Sequence, residues 1–134
     1  MSCKDIMIVE DDFYIRESFV SILQDEGYHV IEAENGQQAL NILLDKKVEH
    51  PGLIILDLRM PVMDGRTFLE ILHRDYPDDL CQIPILLATA YGSADDEMSH
   101  LPCMVEKIQK PLNISELMNA VHRHCGEFML DIQT

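Results

Sequence analysis

This sequence has few cations. Ten Lys and Arg stand against 24 Asp and Glu, for a formal net charge of -14. A surface of that sign repels a phosphate backbone and argues against direct nucleic-acid binding by this chain. Long hydrophobic runs are missing as well, since no apolar stretch approaches the ~20 residues of a membrane-spanning helix. The N-terminus "MSCKDIMIVE" carries one Lys and runs straight into patterned sequence, so no signal peptide is expected. These absences together lead to the expectation of a soluble cytoplasmic protein. The four cysteines, Cys3, Cys81, Cys103 and Cys125, form no C-x-x-C pair. In a cytoplasmic setting they are expected to be reduced thiols rather than a disulfide framework. Internal repeats, low-complexity tracts and linkers are absent too. With 134 residues, 47% of them apolar and 25% charged, the chain is expected to be one globular domain.

What is present is an alternation of short apolar runs with segments of helical period. "DIMIV", "YHVIEA", "GLIILDL", "IPILLATA" and the weaker "MVEKIQ" read as strands. The third and fourth are continuous rather than alternating, as in strands covered on both faces. Between them, Ile15, Phe19, Ile22 and Leu23 repeat at helical spacing until Gly27 stops the helix. Ala39, Leu40, Leu43 and Leu44 form the inner face of a second helix, and Phe68, Leu69 and Leu72 that of a third. "YGSADDEMSHLPCM" carries few apolar anchors, and Pro102 cuts it short. In the last helix Asn113 can cap with Glu116 three residues on, and Leu117, Val121 and His124 share a face. Its end, "HRHC", offers His122, His124 and Cys125 to a metal. A polar helix terminus with cations near the C-terminal dipole is the preferred reading. Five strand-then-helix units predict an α/β fold with a doubly wound, five-stranded parallel sheet of flavodoxin-like order 2-1-3-4-5 and helices on both faces.

In such a sheet, functional groups gather at the carboxyl ends of the strands, beside the switch point between the first and third. The first strand ends in three adjacent acids, Glu10, Asp11 and Asp12. Two unit charges ~4 Å apart repel by about 4 kcal/mol at an effective dielectric near 20, so a positive partner is expected there. The third strand ends in Asp57, the fourth in Thr89, and the fifth in Lys110 followed by Pro111. Carboxylates from adjacent strands make a hard oxygen site suited to Mg²⁺. A hydroxyl and an ammonium at the same rim can hold anionic oxygens. Around one Asp, this set describes a site for phosphorylating that Asp.

Taken in order and spacing, "VEDD", "LIILDLRMPVMDG", "LLATA" and "KPL" resemble the receiver domain of the response regulators of bacterial two-component signalling (CheY-like). The resemblance runs from about Asp5 to His124, and the whole chain, 1–134, is expected to be one receiver domain with a core of about 5–124 and a short tail, 125–134. It implies that Asp57 accepts the phosphoryl group, that Thr89 is the switch hydroxyl, and that Lys110 contacts the phosphate. Pro111 then matches the residue preceded by a cis peptide, and Arg59 the position whose backbone carbonyl ligates the metal. With Val9 and Arg16 setting the register, Asp11 is the direct metal ligand and Glu10 acts through water. Asp12 falls outside the pair, as a helix-start residue. The ion implied is Mg²⁺, with Mn²⁺ as the alternative.

Departures from the family pattern matter as much. The family carries Tyr or Phe three residues before the lysine, where this chain has Lys107, and no aromatic lies between Pro102 and Pro111. A lysine cannot take the ring's buried position without a large desolvation cost. Coupling between Thr89 and an aromatic is therefore expected to be absent. Tyr91 and Arg59 stand where the family tunes phosphate lifetime, and a bulky Tyr91 implies slower hydrolysis. Met60 and Met63 are expected to pack rather than bind copper.

The implied function is a signalling module, not an enzyme, whose own chemistry is limited to autocatalytic phosphoryl transfer and autodephosphorylation. Its implied partners are a sensor histidine kinase or histidine phosphotransfer protein and an unknown downstream protein or effector domain. It acts as a monomer or a phosphorylation-dependent dimer, with no membrane partner. A receiver fragment of a longer regulator or hybrid kinase remains the alternative, the Met1 start favouring a stand-alone protein. A degenerate, phosphorylation-independent interaction module is a further alternative, opposed by the intact Asp57, Thr89 and Lys110. A phosphatase of the haloacid dehalogenase type would place its nucleophile on the first strand with a second Asp two residues later. Here the candidate is on the third strand, and Arg59 stands at that later position.

Overall fold

The computed structural model describes residues 5–57, 62–89, 105–109 and 114–125. In chain order these form β1 (Asp5–Val9), α1 (Phe13–Asp25), β2 (His29–Ala33), α2 (Gly36–Leu44), β3 (Leu53–Asp57), α3 (Gly65–Asp75), a 3₁₀ turn (Leu80–Gln82), β4 (Ile85–Thr89), β5 (Val105–Gln109) and α4 (Ile114–Cys125). All strand pairings are parallel and the order is β2-β1-β3-β4-β5, the doubly wound arrangement that the alternation predicts. The segment containing "YGSADDEMSHLPCM", and Asn113 of the expected capping box, lie outside the described residues.

Local chemistry sets the helix starts. The side chains of Asp12, Asn35 and Asp64 cap α1, α2 and α3, each accepting from a backbone N–H two or three residues on. Gly27, with φ of 97°, supplies the left-handed turn after α1.

The sheet separates two apolar clusters. One gathers Met7, Val9, Ile54 and Leu56 with α2, α3 and the 3₁₀ turn. The other gathers Ile6, Ile8, Leu53 and Ile55 with α1 and α4. Every residue of β3 is buried, which explains its continuous apolar sequence.

Four sequence expectations need correction. The buried face of α1 is Arg16, Phe19, Val20 and Leu23, whereas Ile15 is exposed and Ile22 half-buried. The helix is rotated because a charged residue occupies the core side, for the reason given below. In α2, Leu44 is exposed and Gly36 takes its place on the inner face. In α4, His124 is only half-buried, and Met118, Ala120 and Cys125 join Leu117 and Val121 in the core. Cys81 and Cys125 are each disulfide-bonded, and no cysteine is free among the described residues, so reduced thiols are not what the structure holds. Cys81 falls in the 3₁₀ turn, an element without sequence periodicity.

Candidate functional site

Strand register builds the site. Val9 of β1 lies beside Leu56 of β3, so the residues that follow, Glu10 and Asp57, emerge together at the carboxyl edge of the sheet. One carboxylate oxygen from each of Glu10, Asp11 and Asp57 lies within 4.8 Å of the others. Asp57 and Glu10 are buried and Asp11 is exposed, so the cluster opens to solvent through Asp11. Three ionised acids this close, two of them desolvated, strongly disfavour one another unless a cation intervenes. An all-oxygen set with an open side fits a hard divalent ion that keeps several waters.

The third acid of the run takes a different part. Asp12 Oδ1 accepts from the amides of Tyr14 at 2.9 Å and Ile15 at 3.0 Å, capping α1. The block of three adjacent charges is thus divided by backbone geometry into two groups facing Asp57 and one facing the helix.

Thr89 ends β4, next to Ala88, which pairs with Asp57. Lys107 lies on the edge strand β5, opposite Leu87, and is exposed. Arg59, Met60, Tyr91, Lys110 and Pro111 lie outside the described residues. Met63 packs, half-buried, against the first core cluster.

Sequence reading used Arg16 only to align the acids, yet the side chain is buried against the site. Its Nη1 donates to the Glu10 carbonyl at 2.7 Å and its Nε to Glu32 Oε1 on β2 at 3.1 Å. The guanidinium carbon lies 5.7 Å from the Phe13 ring centroid. The signal was available. Arg16 falls at helical spacing with Phe19, Val20 and Leu23, and Glu32 stands between Ile31 and Ala33 in β2.

At the opposite edge of the sheet, Glu106 on β5 accepts from Arg123 and from His124, the latter pair at 2.6 Å. Burial alone would raise the Glu106 pKa, but these hydrogen bonds and charges outweigh it and hold the carboxyl below its ordinary range. A cavity of about 330 Å³ between β5 and α4 is lined by Glu106, Lys107, Ile108, Glu116, Asn119 and Arg123. It includes none of the acidic-site residues.

The family model for the response regulator receiver domain matches residues 6–122. The chain is 38% identical over 128 residues to the phosphate regulon transcriptional regulatory protein PhoB of Pseudomonas aeruginosa, covering 92% of this chain but 53% of that protein. It is 36% identical over 126 residues to the sporulation initiation phosphotransferase F of Bacillus subtilis, covering 92% of this chain and 95% of that one. The chain therefore spans about half the length of one relative and nearly all of the other.

Among solved structures, a CheY-like receiver domain protein from Methanospirillum hungatei matches with a TM-score of 0.76 and 33% identity over 91% of this chain and 94% of that one. The receiver domain of a Pseudomonas aeruginosa sensor histidine kinase, solved with magnesium coordinated in its active-site cleft, matches in fold with a TM-score of 0.78 at 24% identity, over 92% of this chain and 98% of that one. With a family model covering most of its length and relatives that share both fold and sequence, this chain belongs to the response regulator receiver domain family.

Proposed function

We propose that this domain accepts a phosphoryl group on Asp57 from the phosphohistidine of a sensor histidine kinase or histidine phosphotransfer protein. An oxygen of the Asp57 carboxylate forms the new bond to phosphorus while the bond from phosphorus to the imidazole nitrogen breaks, and the imidazole takes a proton from solvent. Glu10, Asp11 and Asp57 would hold Mg²⁺, with Arg59 supplying a backbone carbonyl. When bound, the ion supplies the positive charge that lets an anionic phosphoryl group approach an anionic acceptor. Mn²⁺, which shares the preference for oxygen ligands, is the alternative ion. Thr89 and Lys110 would hold the phosphoryl oxygens, and Tyr91 and Arg59 would govern the access of water. The observation that carries this reading is the convergence of three carboxylates from two adjacent strands to within 4.8 Å.

The domain turns over no metabolite in this scheme, so it is a phosphorylated switch rather than an enzyme. Its output goes to a protein partner or effector domain, as a monomer or a phosphorylation-dependent dimer. No helix among the described residues is long and apolar enough to cross a membrane. With Lys107 exposed on β5, the conformational signal would travel without an inward-turning aromatic at that position.

Incubation with a small phosphodonor and Mg²⁺, read by intact mass, tests the proposal. The wild type gains one phosphoryl group and Asp57→Ala gains none. A wild type that stays unmodified in Mg²⁺ overturns it in favour of a phosphorylation-independent interaction module.

A further inference from the structure

Arg16 is a cation in a place where burial is costly, and its two side-chain hydrogen bonds among the described residues go to Glu10 at the acidic site and to Glu32 one strand away. Its side chain is 9% exposed. A buried guanidinium hydrogen-bonded through two of its nitrogens serves as a rigid fork rather than a mobile charge. One arm of the fork holds the carbonyl of Glu10 at 2.7 Å. On the other side of that residue, the Glu10 amide donates to Ala33 O at 3.0 Å. The Glu10 main chain is therefore clamped at both its N–H and its C=O, at the point where β1 hands over to α1. The second arm of the fork meets Glu32, one residue before Ala33 on β2. Both restraints on Glu10 thus trace back to the last two residues of the edge strand.

We propose that Arg16, anchored by Glu32, is a positioning residue for the divalent-cation site. It fixes the peptide of Glu10 so that the carboxylates of Glu10 and Asp11 meet that of Asp57. The proposal rests on the reading of these three acids as a Mg²⁺ site. Groups that orient metal ligands from behind typically change affinity by ~10–100-fold when removed. Charge acts in the opposite sense. Deleting a cation close to three acids strengthens their attraction for Mg²⁺, so the sign of the change separates orientation from electrostatics.

The test is a Mg²⁺ titration of the full chain, followed by calorimetry and by amide chemical shifts, well below the thermal midpoint of each variant. Arg16→Met is expected to weaken Mg²⁺ binding about tenfold or more. Arg16→Lys, which can reach one acceptor but not both, should recover part of the loss. Glu32→Ala leaves the acids and Arg16 in place and should weaken binding by a smaller factor, about threefold, so it decides the matter if Arg16→Met does not fold. Unchanged or tighter Mg²⁺ binding in Arg16→Met overturns the proposal, even if the variant is less stable, because that outcome leaves Arg16 a structural cation only. Unchanged binding in Glu32→Ala overturns the anchoring. A wild type that binds no Mg²⁺ overturns both this inference and the phosphoryl-acceptor reading, whereas a wild type that binds normally beside unaffected variants overturns this inference alone.

Discussion

The amide of Gly36 donates to the carbonyl of Met63 across 3.0 Å, tying the N-terminus of α2 to the loop that runs from β3 to α3. That contact needs glycine. A Cβ on residue 36 would lie 2.9 Å from both the Met63 carbonyl oxygen and its Cγ. Gly36→Ala gains helix propensity but must push the loop away, and overpacking of this kind costs ~1–3 kcal/mol. The expected net effect is a loss of about 1–2 kcal/mol in denaturant unfolding. A variant as stable as wild type would show that the loop yields freely.

One residue before Met63, Val62 has φ of 67° and is 83% exposed. A β-branched residue in the left-handed region is strained by about 1–2 kcal/mol, and its exposure leaves no packing to offset the strain. Val62→Gly should therefore stabilise the fold by about 1 kcal/mol despite the greater freedom of the unfolded chain. A lower unfolding midpoint in this variant would contradict the strain.

The two neighbouring acids Asp11 and Asp12 should separate cleanly on substitution. Asp12→Ala removes the cap of α1 and should cost about 1 kcal/mol of stability while leaving Mg²⁺ affinity within about twofold. Asp11→Ala removes a carboxylate from the cluster and should weaken Mg²⁺ binding by more than about tenfold, with little effect on α1. Paired unfolding and metal titrations check both, and equal losses of affinity would contradict the division.

Glu106 gives a pH dependence whose sign is determined. Its folded pKa lies below the ordinary value of 4.5: burial opposes ionisation, and the hydrogen bonds from Arg123 and His124 outweigh burial. A depressed acid pKa contributes stability that is present above the ordinary carboxylate range and is lost as pH falls through the lowered folded value. The stability gap between wild type and Glu106→Gln should be present above the ordinary carboxylate range and shrink as pH falls below it, measured by urea midpoints. A gap that widens on acidification would reverse the assignment.

Cys81 and Cys125 should resist alkylation in denaturant and become reactive only after reduction, read by peptide mass. Reduction should also lower the thermal midpoint, since a native disulfide typically contributes about 2–4 kcal/mol. Immediate labelling of either residue in unreduced protein would contradict the bonded state.

The sequence was most legible where one physical rule acted alone. The strands from "DIMIV" to "LIIL" announced themselves because continuous apolar runs have few other uses, and the three end-of-strand acids could be placed from topology. Legibility failed where polar chemistry overrode periodicity. Arg16 took the inner face of α1 in place of Ile15 because its partners are Glu10, just after β1, and Glu32 on β2. Its spacing with Phe19, Val20 and Leu23 was legible, but a pattern of apolar residues alone favours Ile15. The inward Gly36 goes with the close approach of Met63, a contact distant in sequence. The oxidised state of Cys81 and Cys125 depends on three-dimensional proximity, which scattered spacing conceals.

β3 has a neighbouring strand on either side, a buried backbone throughout, and alternate side chains in each of the two core clusters. Its amides can meet solvent only when both clusters come apart, so their hydrogen exchange should report global unfolding and be among the slowest in the chain. Asp57 closes that strand. The carboxylate proposed as the acceptor is thereby mounted on a segment expected to be among the last to open, so its aim should be as durable as the fold itself.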